Sequence, residues 1–141
     1  MKKVILTVCG LFMITALSGC YGDDSTPGGV LGLAGDALQK NNLNEFASVL
    51  IDNALEKYGN LPGMESLRSD LGTGNLSVGN PTLISQSSCG SGCTLKYYEV
   101  EILGSNKTET AEVTCEAKWV WNNFHHSQRH QITHCLITDL K

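Results

Sequence analysis

The sequence predicts an α+β domain, with N-terminal helices packed on one face of a three- to four-stranded antiparallel sheet. Two observations carry this. Apolar residues recur at three- and four-residue spacing between Val30 and Leu71, and beyond Lys96 the period switches to two. The segment between, residues 72–93, is rich in Gly, Asn and Ser. A chain of 141 residues has room for one domain, and 41% hydrophobic against 17% charged residues is ordinary for a globular protein. The formal net charge of −4, without a basic stripe, argues against nucleic acid as a partner.

The elements follow in order. Val30 to Lys40 reads as a first helix, weakened by Gly32 and Gly35. Leu43 to Tyr58 reads as one long helix, because Leu43, Phe46, Ala47, Leu50, Ala54, Leu55 and Tyr58 fall on one face. Asn44 serves as its N-cap, and Gly59 stops it before Pro62. A third helix carries Met64, Leu67 and Leu71 and ends at Gly72. A short strand is expected at Thr82–Ser85. Three long ones follow at Lys96–Leu103, Thr110–Trp121 and Gln128–Leu140, where β-branched residues alternate with polar ones.

Turn positions set the register. Centring the first turn between Ser105 and Asn106 places Tyr98 opposite Val113 and Val100 opposite Ala111. Centring the second on His125 places Val113 opposite Ile137, Cys115 opposite Cys135, Glu116 opposite His134 and Val120 opposite His130. One face then collects Tyr98, Val100, Ile102, Ala111, Val113, Cys115, Ala117, Trp119, Cys135 and Ile137. The other collects the acids Glu99, Glu101, Glu112 and Glu116, with Ile132 and Leu136 near one edge. A one-residue slip would invert every side chain, so the apolar consistency of the first face supports this register. Glu99 opposite Glu112 is its one unfavourable pair.

The N-terminus reads as an address. Lys2 and Lys3 precede an apolar run from Val4 to Leu17, shorter than the roughly 20 residues a membrane-spanning helix needs. The run ends Leu17-Ser18-Gly19-Cys20, which resembles the lipobox of bacterial lipoproteins. That resemblance implies a signal peptide over residues 1–19 and a lipid-anchored mature chain beginning at Cys20. A flexible tether would cover residues 20–29, and a single domain residues 30–141. It implies no cofactor beyond the covalent lipid on Cys20, a membrane partner through that lipid, and a domain facing the periplasm or cell surface. Tyr21, in place of aspartate after Cys20, favours the outer over the inner membrane by the same resemblance. With Lys2 and Lys3 removed, eight basic residues stand against fourteen acidic ones.

Four of the six cysteines remain to be explained once Cys9 and Cys20 are set aside. In an oxidising envelope disulfides persist. The favoured pairing is Cys89–Cys93 with Cys115–Cys135; the rivals are 89–115 with 93–135 and 89–135 with 93–115. A redox or zinc site at Cys89 and Cys93 is the functional alternative, against which stand three intervening residues and no second ligand pair. All four histidines lie between positions 125 and 134, so His130, His134 and Glu116 form a candidate metal set. Residues four apart on a strand are separated by roughly 13 Å, however, which opposes a shared ion. Trp121 and Phe124 near the second turn are core edge or a partner contact.

No nucleophile elbow and no phosphate-binding glycine loop occurs, so no catalytic residue is assigned. The order of elements over residues 30–140 is similar to the nuclear-transport-factor-like and cystatin-like folds, which implies a helix–sheet space able to hold a ligand. The functional expectation is a non-enzymatic envelope module for binding or assembly, with an envelope protein as partner. The alternative is a small-ligand binder or enzyme with a pocket between helix and sheet.

Overall fold

Proline has no backbone N–H to satisfy and a fixed φ, so it suits the first turn of a helix. In the computed structural model, which describes residues 24–122 and 126–141, α1 (Pro27–Gln39) begins in this way. Thr26 caps it, its Oγ1 accepting from the Gly29 N–H at 2.8 Å. Residues 27–29, expected to be tether, are therefore the first turn of a packed helix. The Asp24 carbonyl, four residues after Cys20, also accepts from the Cys135 N–H at 2.6 Å, so the chain is fastened from there onward.

The expected helix over Leu43–Tyr58 is two, α2 (Leu43–Ser48) and α3 (Asp52–Tyr58). Asn42, not Asn44, is the N-cap of α2; its Oδ1 accepts from the Glu45 N–H at 3.2 Å. The break has a clear cause. Residues Val49–Ile51, a turn leading into an isolated bridge at Leu50, dock on the edge of the last strand, the Ile51 N–H donating to the Ile137 carbonyl and the Ile137 N–H to the Val49 carbonyl, both at 2.9 Å. Two backbone groups of a strand edge are thereby satisfied, at the loss of one helical turn. α4 (Leu61–Leu71) carries the expected Met64, Leu67 and Leu71 on its buried face and stops at Gly72.

The α+β class is as expected, with helices on one face of an antiparallel sheet. The strands number five: β1 (Ser77–Val78), β2 (Thr82–Gly90), β3 (Cys93–Leu103), β4 (Thr108–Asn122) and β5 (Ser127–Leu140). Both β1 and β2 pair with β3, which makes the sheet four strands wide.

The β3–β4 register is the expected one over its whole length, Tyr98 facing Val113 and Val100 facing Ala111. The β4–β5 register matches only from Val113 to Glu116, where Cys115 faces Cys135. Bulges on either side leave Thr133 and Thr138 without an opposite residue. Each threonine restores a link with its hydroxyl: Thr133 Oγ1 donates to the Glu116 carbonyl at 3.2 Å, and Thr138 Oγ1 to the Glu112 carbonyl at 3.1 Å. Two expectations change. His130 faces Trp119 instead of Val120, and Ile132 turns inward to pack on the core.

The core lies between Phe46, Leu31, Leu38, Met64, Leu67 and Leu71 on the helices and Val100, Ile102, Val113, Cys115 and Ile137 on the sheet. It does not extend to Trp119, which shares their face yet is 54% exposed, nor to Trp121 at 56%. Glu99 and Glu112 do oppose each other, and Lys141 Nζ bonds the Glu112 carboxylate.

Phe46→Ala should lower stability by about 3–5 kcal/mol through the cavity it leaves. Leu83→Ala, on exposed β2, should change it by no more than about 0.5 kcal/mol. Denaturant midpoints for both variants test the placement of the core. Separately, the Glu112 carboxylate raises the Lys141 pKa above its ordinary 10.5. A folded pKa above the unfolded value means stabilisation present below 10.5 and lost as pH rises through the raised value. The stability difference between wild type and Lys141→Met should therefore be flat at neutral pH and shrink above about pH 10.5.

Candidate functional site

Beyond the helices the sheet continues as a ribbon in which β2 is exposed throughout and Cys93–Tyr98 of β3 are half-buried, ending in the β2–β3 hairpin. The hairpin needs glycine: Gly90 and Gly92 have φ of +132° and +71°, values a side chain disfavours. Their freedom brings Cys89 and Cys93 to a Cα separation of 5.1 Å, and the two form a disulfide. Gly92 also lies under the Trp119 ring, where a Cβ would come within 3.1 Å of Cδ1.

The register places Cys93 opposite Lys118 and Leu95 opposite Glu116. Glu116 thus sits diagonally beside Cys93, its Oε2 3.7 Å from the sulfur, while its Oε1 is 3.2 Å from Lys118 Nζ. Cys89 Sγ, Cys93 Sγ and a Glu116 oxygen all lie within 4.8 Å of one another. Joined as a disulfide, the sulfurs are poor ligands. Reduced, the same three residues present two thiolates and a carboxylate, a donor set suited to a soft or borderline ion such as Zn²⁺ with a fourth position open.

The other disulfide, Cys115–Cys135, differs in every respect that governs reactivity. Both residues are fully buried, the Cα atoms are 4.0 Å apart, and they bridge neighbouring strands beneath the helices. The favoured pairing of the four cysteines is the one found.

The histidine set separates. His134 faces Glu116 in register, yet its Nδ1 bonds Asp24 Oδ2 at 2.7 Å. His130 packs against Trp119 with ring centroids 5.2 Å apart. Glu116, the third member, belongs with the cysteines instead. Cys20, Phe124 and His125 lie outside the described residues.

Between helices and sheet the side chains are packed. A recess beside it, lined by Leu38, Gln39, Arg68 and Leu76 among others, offers about 10 Å³, roughly the room of a single water. Among the described residues no helix is long and apolar enough to cross a membrane.

The Cys93–Glu116 neighbourhood was within reach of sequence reasoning. Continuing the β3–β4 register past Lys96 to the second cysteine places it beside Glu116 without further assumption. His134–Asp24 was not, because it joins a strand to the chain before the first helix.

Exposure should decide which disulfide reacts. Under a soluble dithiol in native buffer, Cys89 and Cys93 should become alkylatable while Cys115 and Cys135 stay paired until the domain unfolds. Timed iodoacetamide trapping with peptide mass spectrometry reads both; simultaneous labelling of all four would contradict the assignment. No protein-family model matches the chain, and no curated protein does so at a significant level.

Proposed function

We propose that the chain is a lipid-anchored envelope protein acting as a binding module, with the uncovered end of its sheet as the working surface. Its ligand is a soft divalent metal ion, taken by Cys89, Cys93 and Glu116 after an envelope dithiol reductant has exchanged with the Cys89–Cys93 disulfide, giving two thiols here and leaving the reductant as its own disulfide. The observation that carries this reading is the convergence of three ligand atoms within 4.8 Å at an accessible hairpin, while the helix–sheet interface is packed. A small-ligand site thus finds its support at the tip of the ribbon rather than in the interior.

The lipobox-like Leu17-Ser18-Gly19-Cys20 supports the anchor and the envelope location, with the outer membrane favoured by Tyr21. Because Asp24 is already fastened to β5, only Tyr21, Gly22 and Asp23 separate the acylated cysteine from the domain. Four Cα steps span at most about 15 Å, so the domain lies close to the bilayer. A protein partner in the envelope is a second reading, favoured by the exposed indoles of Trp119 and Trp121 on the same ribbon.

Two measurements test the proposal. Metabolic labelling with radioactive palmitate should mark the wild-type chain and leave Cys20→Ser unlabelled; equal labelling would refute the anchor. Competition for Zn²⁺ against a chromogenic chelator should give one equivalent bound by the selectively reduced protein and none by the oxidised protein. Glu116→Gln should weaken binding by about tenfold or more, ~1.4 kcal/mol. Equal affinity in both redox states would sink the metal site.

A further inference from the structure

The charges of this chain are segregated. Of its fourteen acidic residues, none falls within 71–98 or 117–138. Between them these stretches supply β2, Cys93–Tyr98 of β3, and the ends of β4 and β5 that the helices leave uncovered. Lys96, Lys118 and Arg129 lie there, so this end is positive. The rest of the chain from Cys20 onward sets five basic residues against all fourteen acids. Both tryptophans of the chain belong to the same end, each more than half exposed. Trp119 and Trp121 are two apart on β4 and so share a face, about 7 Å apart along the strand. Lys96, opposite Cys115, stands on that face, and His130 and Gln128 lie across from the two indoles. Lys118 and Arg129 alternate onto the reverse face, where Lys118 pairs with Glu116, the nearest acid in sequence.

We infer that this end of the ribbon docks on the bilayer surface, its indoles among the headgroups and its cations against the phosphates of anionic lipids. An indole joins an apolar body to an N–H donor and settles at headgroup depth. Lysine and arginine reach phosphate from either face on their long stems. Charge complementarity selects this occupant. An anionic surface attracts the one end cleared of carboxylates and repels the acidic remainder, which fixes the orientation of the domain as well as its contact. The inference rests on the lipid-anchor reading for its proximity to the membrane. Asp24, close in sequence to Cys20, is fastened to Cys135 on β5, the strand whose end carries Arg129. The six strand steps from Cys135 to Arg129 cover about 20 Å, so anchor and ribbon meet the same bilayer. The metal reading plays no part, since neither the indoles nor Lys96 and Arg129 are its ligands.

Because the chain has two tryptophans and both are on the ribbon, its fluorescence reports this surface alone. Protein isolated from its native envelope is reconstituted with vesicles of brominated phosphatidylcholine, with or without brominated phosphatidylglycerol. Flotation reads attachment, and bromine quenching of the indoles reads contact of the ribbon. Quenching and a shift to shorter wavelength are expected with phosphatidylglycerol and not with phosphatidylcholine alone. Raising salt from about 0.1 M to about 1 M shortens the screening length from about 10 Å to about 3 Å and should reverse the quenching. Lys96→Glu with Arg129→Glu should abolish it, whereas Lys40→Glu with Lys57→Glu, on the helices, should retain it, both disulfides being intact by mass spectrometry. Protein that floats with unquenched indoles, or with equal quenching in both vesicles, overturns the inference and leaves the anchor standing. Floating with anionic vesicles alone refutes the anchor and supports the ribbon contact; neither floating nor quenching refutes both. Indoles that lipid leaves unquenched but that native membranes shield from acrylamide would assign the surface to a protein partner, which also overturns the inference.

Discussion

The strands of this protein are longer than the helices that cover them, and most of its other properties depend on that mismatch. The 15 residues of β4 extend about 50 Å at the usual rise of a strand, whereas the 13 residues of α1 reach only about 20 Å. Hydrophobic burial is therefore available to one half of the sheet. In that half Val100, Ala111, Val113, Cys115 and Ile137 meet Phe46, Leu38 and Met64. The other half is a ribbon that the helices do not cover, its β3 residues only half-buried and its β2 residues exposed. The Cys89–Cys93 disulfide closes its hairpin at the place where packing cannot. Covalent restraint and burial divide the sheet between them.

The buried half has its own difficulty, which is to close against helices while keeping a twisted edge satisfied. β5 solves it with two bulges, and the buried disulfide falls between them. Inward positions on β5 are Ile132, Cys135, Ile137 and Leu140, a spacing that a regular strand does not provide. Thr133 and Thr138 repair the ladder with their hydroxyls at the two extra positions. The break between α2 and α3 and the fastening of Asp24 belong to the same solution, since both satisfy backbone groups on the outer edge of β5.

These local devices mark the limit of what could be read in advance. The β3–β4 pairing was legible because a four-residue turn joins two strands of uninterrupted alternation, so one turn position determines every contact. The β4–β5 pairing was legible only around Cys115, because a bulge adds a residue without changing the apolar count. The helix break was hidden for a related reason: Leu50 is buried in the docking segment, as it would have been on a continuous helix. Trp119 shows the difference between a face and its coverage. Alternation assigned it correctly to the core side of the sheet, but only helix length determines that nothing lies above it. The candidate site combines both cases, since its cysteines stand out in the sequence while Glu116 joins them through register alone.

Glu116 is where the covalent and electrostatic arguments meet. In the disulfide state its carboxylate pairs with Lys118, and the half-exposed pair contributes little to stability. Reduction changes the account. Two thiols then lie beside that carboxylate, in place of one disulfide. Were the proposed divalent cation held there, two thiolates and a carboxylate around its double charge would leave one negative charge over. Lys118, already bound to the far oxygen of Glu116, supplies the compensating charge without occupying a ligand position. Glu116 would then be both a ligand and the link to a compensating lysine, two roles that a pair of cysteines on a neutral hairpin lacks.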